Sequence, residues 1–321
     1  MNIQELSNKW LLIPSTNGGE IMSLRIDGES IPDLFIGINP MLNRCLIIKL
    51  PSTYIPDFQS SIKQNLSLEL FSNTKFLVLT LLDRQYQDLF DDLVISIYNK
   101  IHLMTDVISY TSEFIKTYYK WSEFFHDNRT KQLSDEAIRG LFGELIFLNE
   151  TLKLSGAAIV NDTLNSWKGP YDSGHDFIGE NKNTEVKTRL SSSNYIKISS
   201  EFQLQPEVDK TLDLAVVTIN PDPFTGITLK DIALATKDLV MAKLGDYSIF
   251  LDALSQKGLT SVNIGNYDHL KFIALDITTY SCMHDNFPRL IRSTLPDAVT
   301  SVSYKLNLFA LTDYLTTSKP L

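Results

Sequence analysis

The sequence predicts an α/β fold with a β-rich N-terminal part, and three observations lead there. Short β-type runs separated by turn residues fill roughly the first quarter of the chain. Apolar residues at helical spacing take over from about Gln87. After Ser134 one long amphipathic helix precedes strand-like runs, one of them apolar almost throughout.

Taken in order, KWLLIPS, EIMSLRI, DLFIGIN, RCLIIKLP and KFLVLTLL alternate with Asn-Gly-Gly, Asp-Gly and Asn-Pro turn signals, which predicts an antiparallel β-rich domain over 1–83. Over 84–130 the spacing of Leu89, Leu93, Ile97 and Ile101, then Ile108, Phe114, Ile115, Tyr118 and Phe125, predicts a helical connector. The aromatics and lysines of FIKTYYKWSEFF could stack bases, but helical spacing makes a packed core the expectation. The polar HDNRTKQLSD reads as a linker.

A third region, 131–225, opens with a helix. Ser134 is its cap, with Asp135 and Glu136 in the first turn suiting the helix dipole. In AIRGLFGELIFLNETLKL the apolar stripe is Ile138, Leu141, Phe142, Leu145 and Leu152. Gly140 and Gly143 each cost a helix about 1 kcal/mol against alanine, so both are expected where another element approaches closely. Glu144 lies at the border of the stripe, beside Leu141 and Leu148, an odd place for a solvated acid. YIKISS and LDLAVVTINP read as strands, the second buried. In an α/β extension over 226–321, LKDIALATKDLVMAKL and HDNFPRLIRSTL read as helices and SVSYKLNLFAL as a closing strand, with no chemical signature.

Composition narrows the function. A length of 321 residues with 43% hydrophobic and 21% charged residues fits a globular chain rather than a disordered one. A formal net charge of -9 argues against a surface coated in basic residues, though a local basic groove can hide in such a total. Cys45 and Cys282 form no disulfide framework and read as buried thiols of a reducing cytoplasm. MNIQELSNKW has no signal-peptide pattern, and KFLVLTLLDR is too short to span a bilayer, so a soluble cytoplasmic protein is expected, with no membrane partner. Five histidines and two cysteines are too few to suggest a zinc site or a histidine-metal finger nuclease. Nothing resembles a phosphate-binding glycine loop, and Ser199 and Ser200 have no histidine placed to activate them.

The chemistry concentrates in YDSGHDFIGENKNTEVKTRL, residues 171–190. With Glu180-Asn181-Lys182-Asn183 as a four-residue turn, Gly179 pairs with Thr184, Ile178 with Glu185 and Asp176 with Lys187. Side chains alternate across a strand, so this register puts Asp176, Glu185 and Lys187 on one face and turns Phe177 and Val186 into a core. A slip of one residue would scatter the three. Two adjacent carboxylates repel unless a cation lies between them, and Mg²⁺ needs only one or two carboxylates besides water and phosphate. Bound there, it would acidify a water that Lys187 could orient, which is a phosphodiesterase arrangement. The bland alternative is a surface Asp176–Lys187 ion pair worth under about 1 kcal/mol. The apolar flanks Phe177, Ile178 and Val186 count against a solvated loop.

GLFGELIFL, then W-x-GP, HDF, EVKT and IKISSEFQL together resemble a bacterial PD-(D/E)XK family, known mainly as a domain of unknown function near restriction and phage-defence genes. The resemblance covers 136–220 well and both flanks more loosely, including NFPRL and VSYKLNL. It implies a restriction-endonuclease-like core, a mixed central sheet flanked by helices. It implies Asp176 and Glu185 as metal-binding acids, Lys187 as the catalytic lysine and Glu144 as the helical glutamate near the metal, with Gln203 a weaker match to an active-site glutamine. His175 stands where many such sites have proline; two roles are open to it, metal ligand or proton donor, beside simple local packing. Arg189, Lys182 and Lys197 are candidate phosphate contacts. The function implied is Mg²⁺-dependent DNA cleavage, with Mn²⁺ able to substitute, in restriction or phage defence. A separately encoded ATPase or methyltransferase is an implied partner, a homodimer is a further option, and the flanking regions would select the target or bind partners. The alternative is a DNA-binding or assembly subunit that keeps the fold without cleaving.

Overall fold

A computed structural model describes residues 1–14, 19–126, 132–171 and 173–321. The chain forms two compact units, Met1–Arg129 and Thr130–Leu321. Residues 127–131 of the expected linker lie outside the described residues.

The first unit contains α1 (Ile3–Leu11), β1 (Met22–Arg25), β2 (Asp33–Ile38), β3 (Arg44–Lys49), β4 (Ser61–Ile62), β5 (Leu66–Phe71), β6 (Phe76–Leu81), α2 (Gln87–Ile101) and α3 (Val107–Ser122). Its six strands form one antiparallel sheet in the order β1-β2-β3-β6-β5-β4. The run KWLLIPS, expected as a strand, begins in helix α1, which takes in Lys9, Trp10 and Leu11. Asn2 and Glu5 build a reciprocal cap there, satisfying amide groups that a strand would leave to a neighbour. Helix α2 is buried on nearly all sides, and Phe114, Tyr118, Trp121 and Phe125 are buried too, so most of the aromatic run is core while Tyr119 is exposed. The helices of 84–130 thus belong to the same unit as the strands of 1–83.

The second unit contains α4 (Asp135–Leu154), α5 (Val160–Ser166), β7 (Phe177–Ile178), β8 (Lys182–Leu190), β9 (Tyr195–Ile198), β10 (Thr211–Pro221), α6 (Leu229–Ala242), α7 (Tyr247–Gln256), β11 (Phe272–Ser281), β12 (Tyr304–Asn307) and β13 (Leu315–Pro320). Its main sheet runs β13-β11-β10-β8-β7. β8 and β10 are parallel and the other pairs antiparallel, so the sheet is mixed as expected. The region 226–321 supplies α6, α7, β11 and β13 to this same unit. HDNFPRLIRSTL, expected as a helix, is turn and a short 3-10 segment; Pro288 and Pro296 interrupt helical hydrogen bonding there. SVSYKLNLFAL is a strand only over Tyr304–Asn307, and the chain's last strand lies beyond it.

Two contacts fix how α4 lies on the sheet. Ser134 Oγ accepts from the Ala137 amide and starts the helix as expected. A methyl on Gly143 would meet Thr188 Oγ1 of β8 at 1.9 Å, so this glycine lets the helix close onto the strand; Gly140 has open space instead. A separate two-stranded ribbon, β9 with β12, packs Ile196, Ile198 and Leu306 against Leu212, Leu214 and Val216 of β10.

Candidate active site

The sheet creates the site where its edge strand stops. β7 pairs with β8 only at Phe177↔Thr184 and Ile178↔Asn183, so the outer edge of β8 is bare of backbone pairing from Glu185 onward. Asp176 compensates: its Oδ2 accepts from the Val186 amide at 2.8 Å, where a next strand's carbonyl would otherwise be. The hairpin register differs from the expected one by two residues. The turn is Gly179–Lys182, closed by the Gly179 amide on the Lys182 carbonyl, which leaves Asp176 level with Glu185 rather than Lys187. A two-residue shift keeps each side chain on its face, so Asp176, Glu185 and Lys187 still come together. Phe177 and Val186 turn inward, and Phe177 packs edge-on against Phe147 of α4 with centroids 4.8 Å apart.

Glu185 is 1% exposed and accepts from Lys187 Nζ at 2.6 Å. Its other oxygen lies 3.9 Å from Nδ1 of His175, itself buried, and among the described residues that nitrogen has no hydrogen-bond partner. His175 therefore stands behind Glu185 and does not line the groove in front of it. Glu144 reaches the bare edge of β8 from α4. Its Oε2 accepts from the Trp167 indole N–H at 2.8 Å, and Trp167 is 1% exposed. The Lys168 and Gly169 amides both donate to the Asp176 carbonyl. Glu144 and Asp176 converge on Gly169, where an added methyl would meet Glu144 Oε2 at 2.2 Å and Asp176 Oδ1 at 3.0 Å. The segment from Trp167 to Gly169 is thus a clamp on both acids. The sequence carried its signal in W-x-GP, but nothing local to that motif says which side chain it holds.

Burial and crowding set the electrostatics. Both acids keep some surface toward the groove but are enclosed elsewhere. Burial pushes the Glu144 carboxyl up to about 7, against the Trp167 N–H and Lys187, which favour its charged form. Burial, then the charges of Glu185 and Glu144, hold Asp176 well above the usual carboxylate range. Burial pulls the Lys187 ammonium down, but Glu185, Asp176 and Glu144 outweigh it and keep its pKa above the ordinary value. Burial and the gathering of three acids about Lys187 thus make Glu144 and Asp176 hold their protons more tightly than free carboxyls do.

These acids line, or lie just beneath, a groove of about 640 Å³. Arg189 and Gln203 line it too: Arg189 Nη1 donates to the Ser193 carbonyl at 2.6 Å, and Gln203 Oε1 accepts from the Ser199 amide at 2.8 Å. Lys182 is ion-paired with Asp213. Lys305, from the region with no legible chemistry, lies on the groove wall opposite Lys197.

Hard carboxylate oxygens gathered around one lysine fit a divalent cation, and Asp176, Glu185 and Glu144 are the residues that would hold it. Among the described residues no group of three or more His, Cys, Asp or Glu side chains is already arranged around a metal position. When bound, such an ion supplies an acidified water and charge balance for a phosphate.

No curated protein and no solved structure gives a significant match to the chain. Among the described residues no helix is long and apolar enough to cross a membrane. Over residues 6–309 the chain matches a family described as "Putative PD-(D/E)XK family member, (DUF4420)". That span takes in both units, the mixed sheet and every residue of the site, and the chain belongs to this PD-(D/E)XK family.

Proposed function

We propose that this chain is a Mg²⁺-dependent endonuclease that hydrolyses phosphodiester bonds in DNA, in bacterial restriction or phage defence. One observation carries the reading: a mostly buried lysine, Lys187, is held among Glu185, Asp176 and Glu144 at the edge of a groove. Such an arrangement is costly to fold as scaffold alone, because like charges are buried together. It suits a reaction in which a phosphate gains negative charge. In this role Asp176, Glu185 and Glu144 hold the ion, and Lys187 orients the attacking water or balances charge on the phosphate. Trp167 fixes the Glu144 carboxylate, and Asp176 is fixed by the Val186 amide. His175 acts through Glu185, since it stands behind that carboxylate.

Plasmid cleavage by the full chain in Mg²⁺ or Mn²⁺, beside Lys187→Ala and Asp176→Ala, tests this. Cutting by the native chain alone supports the reading. If none of the three cuts, calorimetric Mn²⁺ titration decides: binding lost in Asp176→Ala indicates a nuclease that needs a partner, such as a separately encoded ATPase, methyltransferase or second copy. Absence of any Mn²⁺ binding sinks the catalytic role and leaves a DNA-binding or assembly subunit.

A further inference from the structure

The ribbon of β9 and β12 sets two lysines against each other. Lys197 and Lys305 are direct cross-strand partners. Like charges in that position destabilise a ribbon. Both are exposed, and among the described residues neither forms an ion pair or hydrogen bond. No acid has been placed to relieve them.

Alternation along the ribbon adds to this. Ile196, Ile198 and Leu306 point into the core, so Tyr195, Lys197, Lys305 and Asn307 share the outer face. Tyr195 is 52% exposed and lines the groove together with both lysines. The groove has five cations (Arg139, Lys187, Arg189, Lys197, Lys305) against three acids (Glu136, Glu144, Asp176), in a chain of net charge -9. Two of those five cations, Lys197 and Lys305, stand on this ribbon.

Resting on the nuclease reading above, we infer that the β9–β12 ribbon is a clamp for an unpaired nucleic-acid strand, with Lys197 and Lys305 on its phosphates and Tyr195 stacked on a base. Residues two apart on a strand stand about 7 Å from each other, close to the spacing of successive units in an extended single strand. A duplex offers the phosphates but keeps its bases stacked on one another, leaving Tyr195 without a partner. The aromatic beside the lysines is what selects the unpaired form.

The test uses the full chain in EDTA, with fluorescence anisotropy of a labelled DNA single strand of about 12 nucleotides and of its duplex. The native chain should bind the strand more tightly than the duplex. Lys197→Ala/Lys305→Ala should weaken strand binding about tenfold or more and lower the salt slope by about 1.4, two phosphate contacts' worth. Tyr195→Ala should weaken it roughly 5- to 100-fold while Tyr195→Phe stays near native. Lys197→Arg/Lys305→Arg should restore binding, which separates lost charge from a disturbed fold. Equal or tighter duplex binding, or native-like binding by the alanine variants, overturns the assignment. Plasmid cleavage by the native chain and Lys187→Ala reads the underlying proposal separately. Lys187-dependent cutting with unaffected ribbon variants removes the clamp alone; ribbon-dependent binding with neither cutting nor Asp176-dependent Mn²⁺ binding removes the nuclease alone.

Discussion

Glu144→Gln should make the metal-free protein more stable, and only above a certain pH. The amide keeps an oxygen for the Trp167 N–H and has nearly the same shape, so the perturbation is one charge. The Glu144 carboxyl is raised from 4.5 to about 7 in the folded chain. A raised carboxylate pKa means the folded state holds the proton more tightly than the unfolded one. Stability is therefore intact below about pH 4.5 and is lost as the pH rises through 7. The full difference is on the order of 3 kcal/mol above pH 8, and glutamine abolishes it. Because the chain has two compact units, one melting curve would mix their transitions. Hydrogen exchange of peptides from α4 and β8 in low urea reads the relevant unit directly. Glu144→Gln should match native protection near pH 4.5 and exceed it by roughly a hundredfold near pH 8. Mn²⁺ should narrow that gap by stabilising the native chain through binding. An advantage that is the same at both pH values, or a less stable variant at pH 8, would refute the crowded-carboxylate account.

Other changes separate site geometry from fold. Gly169→Ala puts a methyl where Glu144 Oε2 lies, and because a flexible carboxylate can move away, Mn²⁺ affinity in calorimetry should drop with little change in the hydrogen-exchange protection of α4 and β8. Gly143→Ala meets Thr188 of β8 instead, so it should destabilise by about 1–3 kcal/mol in urea unfolding. Trp167→Phe removes the donor that favours ionised Glu144, raising that carboxyl further, so Mn²⁺ binding should move to higher pH; an unshifted pH profile would show that the indole positions nothing.

Much of the site was legible because its residues are close in sequence. Asp176, Glu185 and Lys187 belong to one hairpin, and alternation survives a register error of two. The cap at Ser134 and the close approach at Gly143 were legible for the same reason, each depending on a local rule. KWLLIPS was misread because its apolar run outweighed the Asn2–Glu5 pair, a capping signal that was present in the sequence. The groove wall was not legible. Lys305 joins Lys197 only through pairing of distant strands, and no periodicity encodes which segment covers the exposed face of β10. Trp167 lay in a motif noted for its resemblance, but its bond to Glu144 is a tertiary fact.

The late arrival of β12 has a consequence during synthesis. Asp176, Glu185 and Lys187 leave the ribosome roughly a hundred residues before Lys305, on the order of ten seconds at about 5–20 residues per second. Until Leu306, Leu308 and Leu311 emerge, β9 has no partner and Leu214 and Val216 have no complete cover. If the ribbon seats a strand as proposed, a nascent chain carries Asp176, Glu185 and Lys187 before that seat exists. The order of the elements places Lys305 and its strand well after the hairpin that they face across the groove.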